Sequence, residues 1–314
     1  MKAAVIQQYG PPENLTIADV PMPTAGAGDV LVKVYAAGIN PVDAKNRAGG
    51  AFAGRYGENF PMVLGYDVSG VVESVGADVT EFAAGDAVFG MVRFPDNGAA
   101  YAEYVAAPAA QFVRKPLRVD HIAAAGVPLA ALTAYQALFD TADLQPGQRV
   151  LIHAAAGGVG HFAVQLAKWR GATVYGTAST ANQDLLAELG VDHSIDYTVA
   201  PLASQLPEID VVLDPLAGEA QVSSLTAIVA GGILVSIVGL HEEAKERAAS
   251  LGVRAEAILV RIDRAQLGEI AGLIEDGTLR PLVDSVHDLA DAAEAHRRIE
   301  TGRAKGKVVL RVTT

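Results

Sequence analysis

Short runs of apolar residues, several of them alternating with polar ones, dominate the first third of the chain. Proline and glycine clusters at 11–12 and 21–28 separate the first runs, as they do between the strands of a β-rich domain. Strands are predicted at residues 2–7, 15–19, 29–37, 61–75, 86–89 and 101–108. A loop with a short helix begins at Gly38, and the glycine-rich residues 49–59 are predicted to be mobile.

After Pro116 the pattern changes to a long alanine-rich helical stretch, residues 120–141, and then to alternating strands and helices. Apolar runs predict six further strands, at residues 150–154, 173–177, 193–195, 211–214, 232–237 and 254–259. Helical segments between several of these strands are typical of a doubly wound parallel sheet. The predicted fold class is therefore α/β, with a β-rich domain and a six-stranded parallel sheet.

The last 50 residues return to a mixed pattern. It predicts a helix at 264–277, a strand through Val286, a helix at 289–301 and a final strand at 307–312. We expect this tail to rejoin the first domain. The predicted organisation is one domain made of residues 1–120 and 264–314, and a second made of residues 121–263.

One stretch of the second domain carries a binding pattern. The run at 150–154 has no formal charge on either face, as expected of a central parallel strand covered by helices. Gly157 and Gly158 follow it and permit a tight turn whose backbone N–H groups approach a pyrophosphate at a helix N-terminus. Gly160 lets the following helix lie close to the strand.

This pattern is incomplete, because Ala155 replaces the first glycine of the usual GxGxxG sequence. A strand-to-helix turn without a ligand is the alternative interpretation. The strand before the turn, the helix after it and a second strand at 173–177 favour dinucleotide binding. Phe162 is predicted to face the sheet and His161 to lie at the surface, and His153 is expected to make one hydrogen bond in the core.

The end of the second strand predicts which dinucleotide is bound. An NAD-binding chain places an acid there for the ribose 2′-hydroxyl, and this chain has Ala178. Ser179, Thr180 and later Tyr197 offer hydroxyl groups, which suit a 2′-phosphate because they carry no negative charge. The prediction is NADP(H). Residues 178–183 contain no lysine or arginine, so the alternative is modest selectivity.

Composition narrows the functional class. Of the 314 residues 51% are hydrophobic and 19% charged, which describes a globular protein with a substantial core, and the net charge of −12 argues against nucleic acid or an anionic membrane as a partner. The chain has no cysteine, which excludes disulfides, thiol nucleophiles and cysteine-ligated zinc. No signal peptide is visible, so a cytoplasmic location is expected. The long uncharged stretches contain glycine pairs or proline and are interpreted as buried core rather than membrane spans.

Four motifs in this order resemble one known family, the zinc-free quinone oxidoreductase (zeta-crystallin-like) and enone reductase branch of the medium-chain dehydrogenase/reductase superfamily. The motifs cover nearly the whole chain and lie at residues 38–45 (GINPVDAK), 65–70 (GYDVSG, with Gly76 following), 153–160 (HAAAGGVG) and 300–310 (ETGRAKGKVVL). The resemblance implies a GroES-like catalytic domain formed from both chain ends, a Rossmann domain between them, NADPH as cofactor and a homodimer.

The resemblance also implies positions for the cofactor. Asn40 and Thr133 resemble residues that border the nicotinamide. Gly239, Leu240 and Val260 resemble the strand-end residues that flank its ring. The cofactor-binding residues implied are Asn40, Thr133, Ala156, Gly157, Gly158, Val159, Ser179, Thr180, Tyr197, Gly239, Leu240 and Val260. One departure is Gln183, where many relatives have a lysine, and it puts tight selectivity for NADPH in doubt.

Zinc-dependent relatives have a catalytic cysteine where this chain has Asn40 and a histidine where it has Tyr66, so no metal site is predicted. Without zinc, alcohol oxidation loses its Lewis acid, whereas conjugate reduction still proceeds if charge on the carbonyl oxygen is stabilised. We therefore expect hydride transfer to a quinone or to the C=C bond of an α,β-unsaturated carbonyl. Asn40, Lys45 and Tyr66 are the candidate catalytic residues, with Lys45 and Tyr66 as donors to the developing enolate.

Several alternatives stay open. Tyr66 could instead fill the volume that zinc occupies in the zinc-dependent relatives. Lys45 could instead pair with Asp43 or Asp67 on a solvated surface. Asn40 could instead act as a loop cap. An NADPH-binding protein with a structural role and little turnover is the competing function, and metal-free alcohol oxidation is a third. The substrate pocket is expected to be lined by residues 49–59 and 91–100.

Overall fold

The computed structural model describes residues 1–313, apart from the side chain of Ala203, and divides into two compact units. The first, here the β-rich unit, comprises Met1–Leu132, Arg261–Gly277 and the chain from Pro281 onward. The second, here the parallel-sheet unit, comprises Thr133–Val260 with Thr278–Arg280.

Strands account for most of the regular structure in the β-rich unit and for the centre of the parallel-sheet unit. In chain order they are β1 (Lys2–Ile6), β2 (Leu15–Asp19), β3 (Asp29–Ile39), β4 (Met62–Val63), β5 (Asp67–Val75), β6 (Ala87–Met91), β7 (Tyr104–Pro108), β8 (Phe112–Arg114), β9 (Arg149–Ile152), β10 (Thr173–Ala178), β11 (His193–Asp196), β12 (Ile209–Asp214), β13 (Ile228–Ser236), β14 (Arg254–Ala257), β15 (Val283–Asp288) and β16 (Lys307–Arg311).

The helices are mostly short. They are α1 (Pro41–Arg47), α2 (Ala53–Tyr56), α3 (His121–Ala125), α4 (Pro128–Tyr135), α5 (Gly160–Arg170), α6 (Gln183–Glu188), α7 (Glu219–Leu225), α8 (Glu242–Leu251), α9 (Arg264–Glu275) and α10 (Ala292–Glu300). The predicted helix at 120–141 is divided into α3, α4 and a π-helical segment, Gln136–Thr141. Within residues 1–313 we find no helix with the length and apolar character needed to cross a bilayer.

The β-rich unit contains two sheets. One has the order β15-β16-β3-β5-β6-β8, with β7 also paired to β3, and the other has the order β2-β1-β4. Valines of β3, such as Val30, Val32 and Val34, are fully buried in the core beside this larger sheet. Because β16 pairs antiparallel with β3, the tail joins the sheet formed by the first part of the chain, as predicted.

Helix α3 belongs to the β-rich unit. It packs against β3, β5 and β16, with Ala124 and Ala125 fully buried. The predicted domain boundary near residue 120 falls just before this helix, whereas the unit extends to Leu132. Helical periodicity identified the segment as a helix, but the sheet on which a helix packs is a tertiary property that the local pattern does not contain.

The parallel-sheet unit is a doubly wound sheet with the order β11-β10-β9-β12-β13-β14. All five pairings are parallel, and the central strand β9 is buried from Val150 to Ile152. The prediction of six strands in such a sheet is confirmed. The chain order reverses between β9 and β12, and ligands of open α/β sheets bind outside the carboxyl ends of the strands at this switch point. The glycine-rich turn follows β9 directly.

Candidate active site

A buried polar cluster lies where β3 ends and α1 begins. The backbone N–H of Asn40 donates to the carboxyl of Asp43 at 2.7 Å, which closes the first turn of α1. Asn40 is the N-cap residue of α1, and Asp43, the third residue of the helix, completes its capping box. Nδ2 of Asn40 donates to Asp67 at 2.9 Å, and Oδ1 of Asn40 accepts a hydrogen bond from Nζ of Lys307. Both sides of the Asn40 amide are therefore held by charged neighbours.

Asp67 and Lys307 form an ion pair without access to water. Asp67 begins β5 with 0% of its surface exposed, Lys307 begins β16 with 3% exposed, and Nζ of Lys307 lies 3.8 Å from Oδ2 of Asp67. Burial raises the pKa of Asp67 and lowers the pKa of Lys307, while each opposite charge acts against these shifts. Oδ1 of Asp67 also accepts the backbone N–H of Leu129 at 2.9 Å.

Asp43 is the least satisfied member of this cluster. Burial, with a contribution from the negative charge of Asp67, raises the pKa of Asp43 to about 7, although the Asn40 N–H opposes the shift. Oδ1 of Asp43 and the hydroxyl of Tyr101 are buried, and within residues 1–313 neither has a partner at ordinary hydrogen-bond distance. The two groups nevertheless influence each other, because a longer contact with the Tyr101 hydroxyl lowers the pKa of Asp43. The negative charge of Asp43 also raises the pKa of Tyr101 further, beyond the effect of burial. A neutral Asp43 suits this environment better than a charged one.

This pKa predicts a pH-dependent loss of stability. The unfolded chain releases the Asp43 proton near pH 4, and the folded chain holds it until about pH 7, so stability falls as the pH rises between those values, by at most about 1.4 kcal/mol per pH unit. Asp43→Asn resembles the neutral acid and still accepts the Asn40 N–H. We expect it to flatten this slope in urea unfolding measured from pH 4.5 to 7.5.

Asp78 provides the matched control, because it is exposed and the same substitution there changes the charge equally. Asp78→Asn should reproduce the pH slope of the unsubstituted protein. A slope in Asp43→Asn that equals that of the unsubstituted protein would show that Asp43 is ionised in the fold at lower pH.

A second group of hydroxyls surrounds Tyr66. The hydroxyls of Tyr66 and Tyr56 are hydrogen-bonded to each other, and Nδ2 of Asn46 donates to Tyr66 at 2.9 Å and to Tyr56 at 2.7 Å. The Tyr66 ring is 1% exposed and packs edge-on against Phe94, with 4.9 Å between ring centroids. Tyr56 is only partly buried. The Tyr66 hydroxyl therefore has a hydrogen-bonded neighbour that is closer to solvent.

Both tyrosines remain protonated at neutral pH. Burial raises the pKa of Tyr56 to about 12, and burial together with the neighbouring Tyr56 raises the pKa of Tyr66 further. The hydroxyl group of a protonated tyrosine donates one hydrogen bond and accepts others. The pair can therefore supply a donor to an oxygen that gains negative charge.

In the parallel-sheet unit, the turn between β9 and α5 has the geometry of a phosphate-binding turn. Ala154 adopts a positive φ of 46°, and the N–H of Gly157 donates to its carbonyl at 2.8 Å. A Cβ at Gly160 would lie 2.2 Å from the same carbonyl oxygen, so only glycine fits where α5 meets the turn. The N–H groups of His161 and Ala163 donate to the carbonyls of Gly157 and Val159, at 3.1 and 3.0 Å. The amides that a phosphate could use at such a helix start are therefore those that precede His161.

Comparisons with known proteins support this assignment of parts. The family model described as alcohol dehydrogenase GroES-like domain matches residues 26–117, and the model described as zinc-binding dehydrogenase matches residues 189–310. The NAD(P)H oxidoreductase RTN4IP1, mitochondrial, of Danio rerio is 31% identical, over 99% of this chain and 91% of its own length. The NADPH-dependent alkenal/one oxidoreductase, chloroplastic, of Arabidopsis thaliana is 34% identical, over 99% of this chain and 79% of its own length.

A solved structure is similar over the full length. The quinone oxidoreductase from Coxiella burnetii is 38% identical and superposes with a TM-score of 0.94, covering 100% of this chain and 99% of that chain. The chain belongs to the quinone and enone oxidoreductase branch of the medium-chain dehydrogenase/reductase superfamily. The predictions of a GroES-like domain and a Rossmann sheet are confirmed, and the relatives support NADP(H) as the predicted cofactor.

Lys45 does not belong to the buried polar cluster around Asn40. The residues of α1 that face inwards are Asp43, Ala44, Asn46 and Arg47, and Lys45 is on the exposed side of the helix. The alternative that Lys45 pairs with Asp43 or Asp67 at the surface is wrong, because both carboxyl groups are fully buried. The role of Lys45 as a donor stays a prediction.

Two histidines near the Rossmann turn differ from expectation. His161, predicted to lie at the surface, is 0% exposed, and its Nδ1 lies 2.9 Å from the carbonyl oxygen of Gly157. Buried residues in α5 run without a break from Gly160 to Val164, so this end of the helix is covered on all sides. His153 makes two side-chain hydrogen bonds, with Thr177 and Ser224, where one was expected.

The strand ends of the Rossmann sheet are held by buried side chains. The side-chain amide of Gln221 donates to Asp214 and to the carbonyl of Gly239, both at 2.7 Å. The Ser236 hydroxyl lies 3.1 Å from Asp214 and 2.8 Å from the Gly239 carbonyl, and its one proton serves one of these acceptors at a time. This network fixes the backbone before Leu240. Val260 and Thr133 are buried, with 7% and 5% of their surfaces exposed. The contacts of these residues with the cofactor stay predictions.

The loop after β10, which was predicted to face the ribose, contacts a negative charge that the sequence interpretation overlooked. Gln183 caps the end of β10 by donating to the carbonyls of Ala178 at 3.1 Å and Ser179 at 3.4 Å. The hydroxyl of Thr180, expected to face a phosphate, donates instead to Asp196 at 2.5 Å. The hydroxyl of Thr180 therefore lies beside the negative charge of Asp196, which the sequence analysis did not consider. Tyr197 is 59% exposed beside it.

The described residues offer no cluster of metal ligands. Within residues 1–313, histidine, aspartate and glutamate side chains do not come together in groups of three that could hold a metal ion. Sequence reasoning missed Tyr56, Asn46, Asp67, Tyr101 and Lys307. Asp67 and Lys307 stood inside the motifs that carried the family resemblance, and the signal that could have found them is a charged residue next to an apolar run.

Proposed function

We propose that this protein is a zinc-independent, NADPH-dependent reductase that transfers hydride to a quinone or to the C=C bond of an α,β-unsaturated carbonyl. Its family membership supports oxidoreductase activity with a nicotinamide cofactor. The observation that carries the metal-free form of the reaction is the state of Asn40, whose amide is held by Asp67 and Lys307.

The ammonium group of Lys307 already supplies a positive charge beside Asn40. It donates to Oδ1 of Asn40, and Asn40 stands where zinc-dependent relatives of this family have a cysteine ligand. A metal ion placed against Asn40 would meet a buried positive charge about as close as a hydrogen bond, and this repulsion is strong away from water. The donor set at Asn40 and Tyr66 is therefore unsuited to zinc.

The turn before α5 fits a dinucleotide, because Gly160 brings the helix against the turn where a Cβ would not fit. Gly158 and Val159 would hold the pyrophosphate through backbone amides. The N–H of Gly157 donates to Ala154 within the turn, so Gly157 and Ala156 would line the site without that bond. When bound, NADPH supplies the hydride. The strand-end network of Asp214, Gln221 and Ser236 keeps Gly239 in place for the nicotinamide side of the site.

Tyr66 and Tyr56 would stabilise the oxygen of the substrate as it gains charge. Each is protonated at neutral pH, and each hydroxyl is oriented by Asn46. A hydrogen bond to the developing enolate strengthens as charge accumulates, which lowers the barrier. Tyr56 lies nearer to solvent and would return the proton that Tyr66 gives up.

Tyr66→Phe is expected to lower kcat/KM for an enone or quinone by about tenfold or more, because a donor that acts in the transition state is lost. The Kd for NADPH should change by less than about twofold, since the adenosine and pyrophosphate contacts are untouched. Tyr56→Phe should lower kcat/KM less. Steady-state kinetics with a panel of enones and quinones and a fluorescence titration with NADPH measure both quantities.

Tyr104→Phe, at a partly exposed tyrosine of β7, is the matched control and should retain full activity. Lys45→Ala tests the other donor. A change below about threefold in both Tyr66→Phe and Tyr56→Phe, with a larger loss in Lys45→Ala, would transfer the donor role to Lys45.

The same panel separates the competing function. NADPH binding without consumption across all enones and quinones would favour a cofactor-binding protein with little turnover. Oxidation of simple alcohols with NADP would favour the third function, metal-free alcohol oxidation. A homodimer and a cytoplasmic location are proposed on the family resemblance and the composition alone.

A further inference from the structure

We propose that Asp196 determines the choice between NADPH and NADH, and that it leaves this protein with little selectivity for the 2′-phosphate. The proposal rests on the proposed position of the adenosine ribose at the end of β10. It goes beyond the family assignment, which gives NADP(H) as a cofactor without ranking it against NAD(H).

Strand register places Asp196 at the ribose position. Strands β10 and β11 are parallel neighbours, and Ala178 pairs directly with Asp196 in their register. NAD-binding chains place an acid at the end of the second strand, where it accepts the ribose 2′-hydroxyl. This chain has Ala178 at that point and provides the acid from the adjacent strand at the same level. Compared with an NAD-binding chain, the carboxylate is therefore present but lies on the neighbouring strand.

Hydrogen bonds hold this carboxylate in place and keep it charged. Thr180 donates to Oδ2 of Asp196 at 2.5 Å, and Thr198 donates to Oδ1 through its backbone at 2.9 Å and its hydroxyl at 2.6 Å. These bonds lower the pKa of Asp196 below its ordinary value. A hydroxyl has one proton, so Thr180 cannot donate to Asp196 and to a phosphate at once. A phosphate beside Thr180 would meet a lone pair and an anion.

The surrounding sequence contains no cation to offset that charge. Residues 171–244 include ten aspartates and glutamates and neither lysine nor arginine. Gln183 stands where many relatives have a lysine, and its amide already donates to the carbonyls that end β10. A doubly charged phosphate is ordinarily bound by arginine or lysine. The hydroxyls of Ser179 and Tyr197 are neutral donors, which bind a phosphate less strongly than a cation does.

The alternative interpretation is that Asp196 has a purely structural role and only stabilises the turn that follows β11. Its two bonds to Thr198 are those of a local turn. That role does not require the third bond, which crosses from β11 to the loop after β10. The two interpretations differ in what they predict for dinucleotide binding.

Fluorescence titration of the whole protein with NADPH and with NADH tests the proposal without any turnover. In the unsubstituted protein, we expect the two Kd values to lie within about tenfold of each other. Asp196→Asn keeps the shape of the side chain and removes its charge, so the ratio of Kd for NADH to Kd for NADPH should rise at least threefold. Glu188→Gln makes the same charge change on the exposed side of α6 and should leave the ratio unchanged.

Gln183→Lys provides an independent variant that tightens NADPH binding in the same direction, because it adds the missing cation. A preference for NADPH above tenfold in the unsubstituted protein, or a ratio in Asp196→Asn that rises less than threefold, would overturn the proposal. Binding of both dinucleotides with the expected ratios but no turnover would remove the proposed reaction and leave this inference standing. Failure to bind either dinucleotide would overturn both.

Discussion

Gly160→Ala is expected to lower the affinity for NADPH about 100-fold and to destabilise the parallel-sheet unit by about 2–3 kcal/mol. The added Cβ would lie 2.2 Å from the carbonyl oxygen of Ala154 and 2.8 Å from Cα of Ala155. The turn cannot easily move away, because the N–H of Ala155 donates to Thr177 at 3.0 Å in the adjacent strand. The helix must shift instead, and its first amides move with it.

Gly272→Ala is the matched control for this substitution. Gly272 is inside α9, and a Cβ there meets nothing within 4 Å, so the change should be neutral or stabilise the fold by up to about 1 kcal/mol. Urea unfolding and fluorescence titration with NADPH measure the two effects. If Gly160→Ala binds NADPH within threefold of the unsubstituted protein, the turn before α5 is not the pyrophosphate site.

Lys307→Met is expected to destabilise the β-rich unit by about 3–5 kcal/mol. Methionine approximates the length of the lysine stem and removes only the charge and the donors. Asp67 would then be left at 0% exposure without a cation, so that the fold must hold an unpaired charge or bind a proton there, and Oδ1 of Asn40 would lose its donor. Truncating one partner of a buried pair costs far more than the pair contributes, because the remaining charge stays out of water.

Two further variants make this expectation specific. Lys305→Met changes an exposed lysine two residues away and should cost less than about 1 kcal/mol in urea unfolding. The double variant Asp67→Asn with Lys307→Met removes both charges and should recover part of the loss. A cost below about 1 kcal/mol for Lys307→Met alone would mean that Asp67 is protonated in the folded protein.

Much of the fold was accessible from local patterns. The strands of the Rossmann sheet are continuous apolar runs because both faces of a parallel sheet are covered, and such runs are conspicuous in a sequence. The tail was assigned to the first domain correctly, and β16 indeed pairs with β3. The position of α3 was less accessible, because a short alanine-rich helix carries the same pattern whichever sheet it packs against.

The candidate site was predictable only where neighbours in space are neighbours in sequence. The glycine turn is local, and the sequence located it. The ion pair of Asp67 and Lys307 joins residues far apart in the chain, and Asp196 reaches Thr180 through strand pairing. His161 was placed at the surface because it begins a helix, whereas the start of α5 is buried all round.

The pairing of β16 with β3 also sets an order of events during synthesis. The segment Thr133–Val260 is continuous in the chain, so the parallel sheet can form as soon as this segment has been synthesised. Only residues 278–280 of the same unit are added later. The β-rich unit cannot finish until residues 307–311 have emerged. Residues 29–33 of β3 pair with β7, but until then the apolar residues 36–39 of β3 leave an open edge. A nascent chain halted between these points should therefore present a folded middle and an aggregation-prone beginning, which is the substrate that chaperones at the exit tunnel bind.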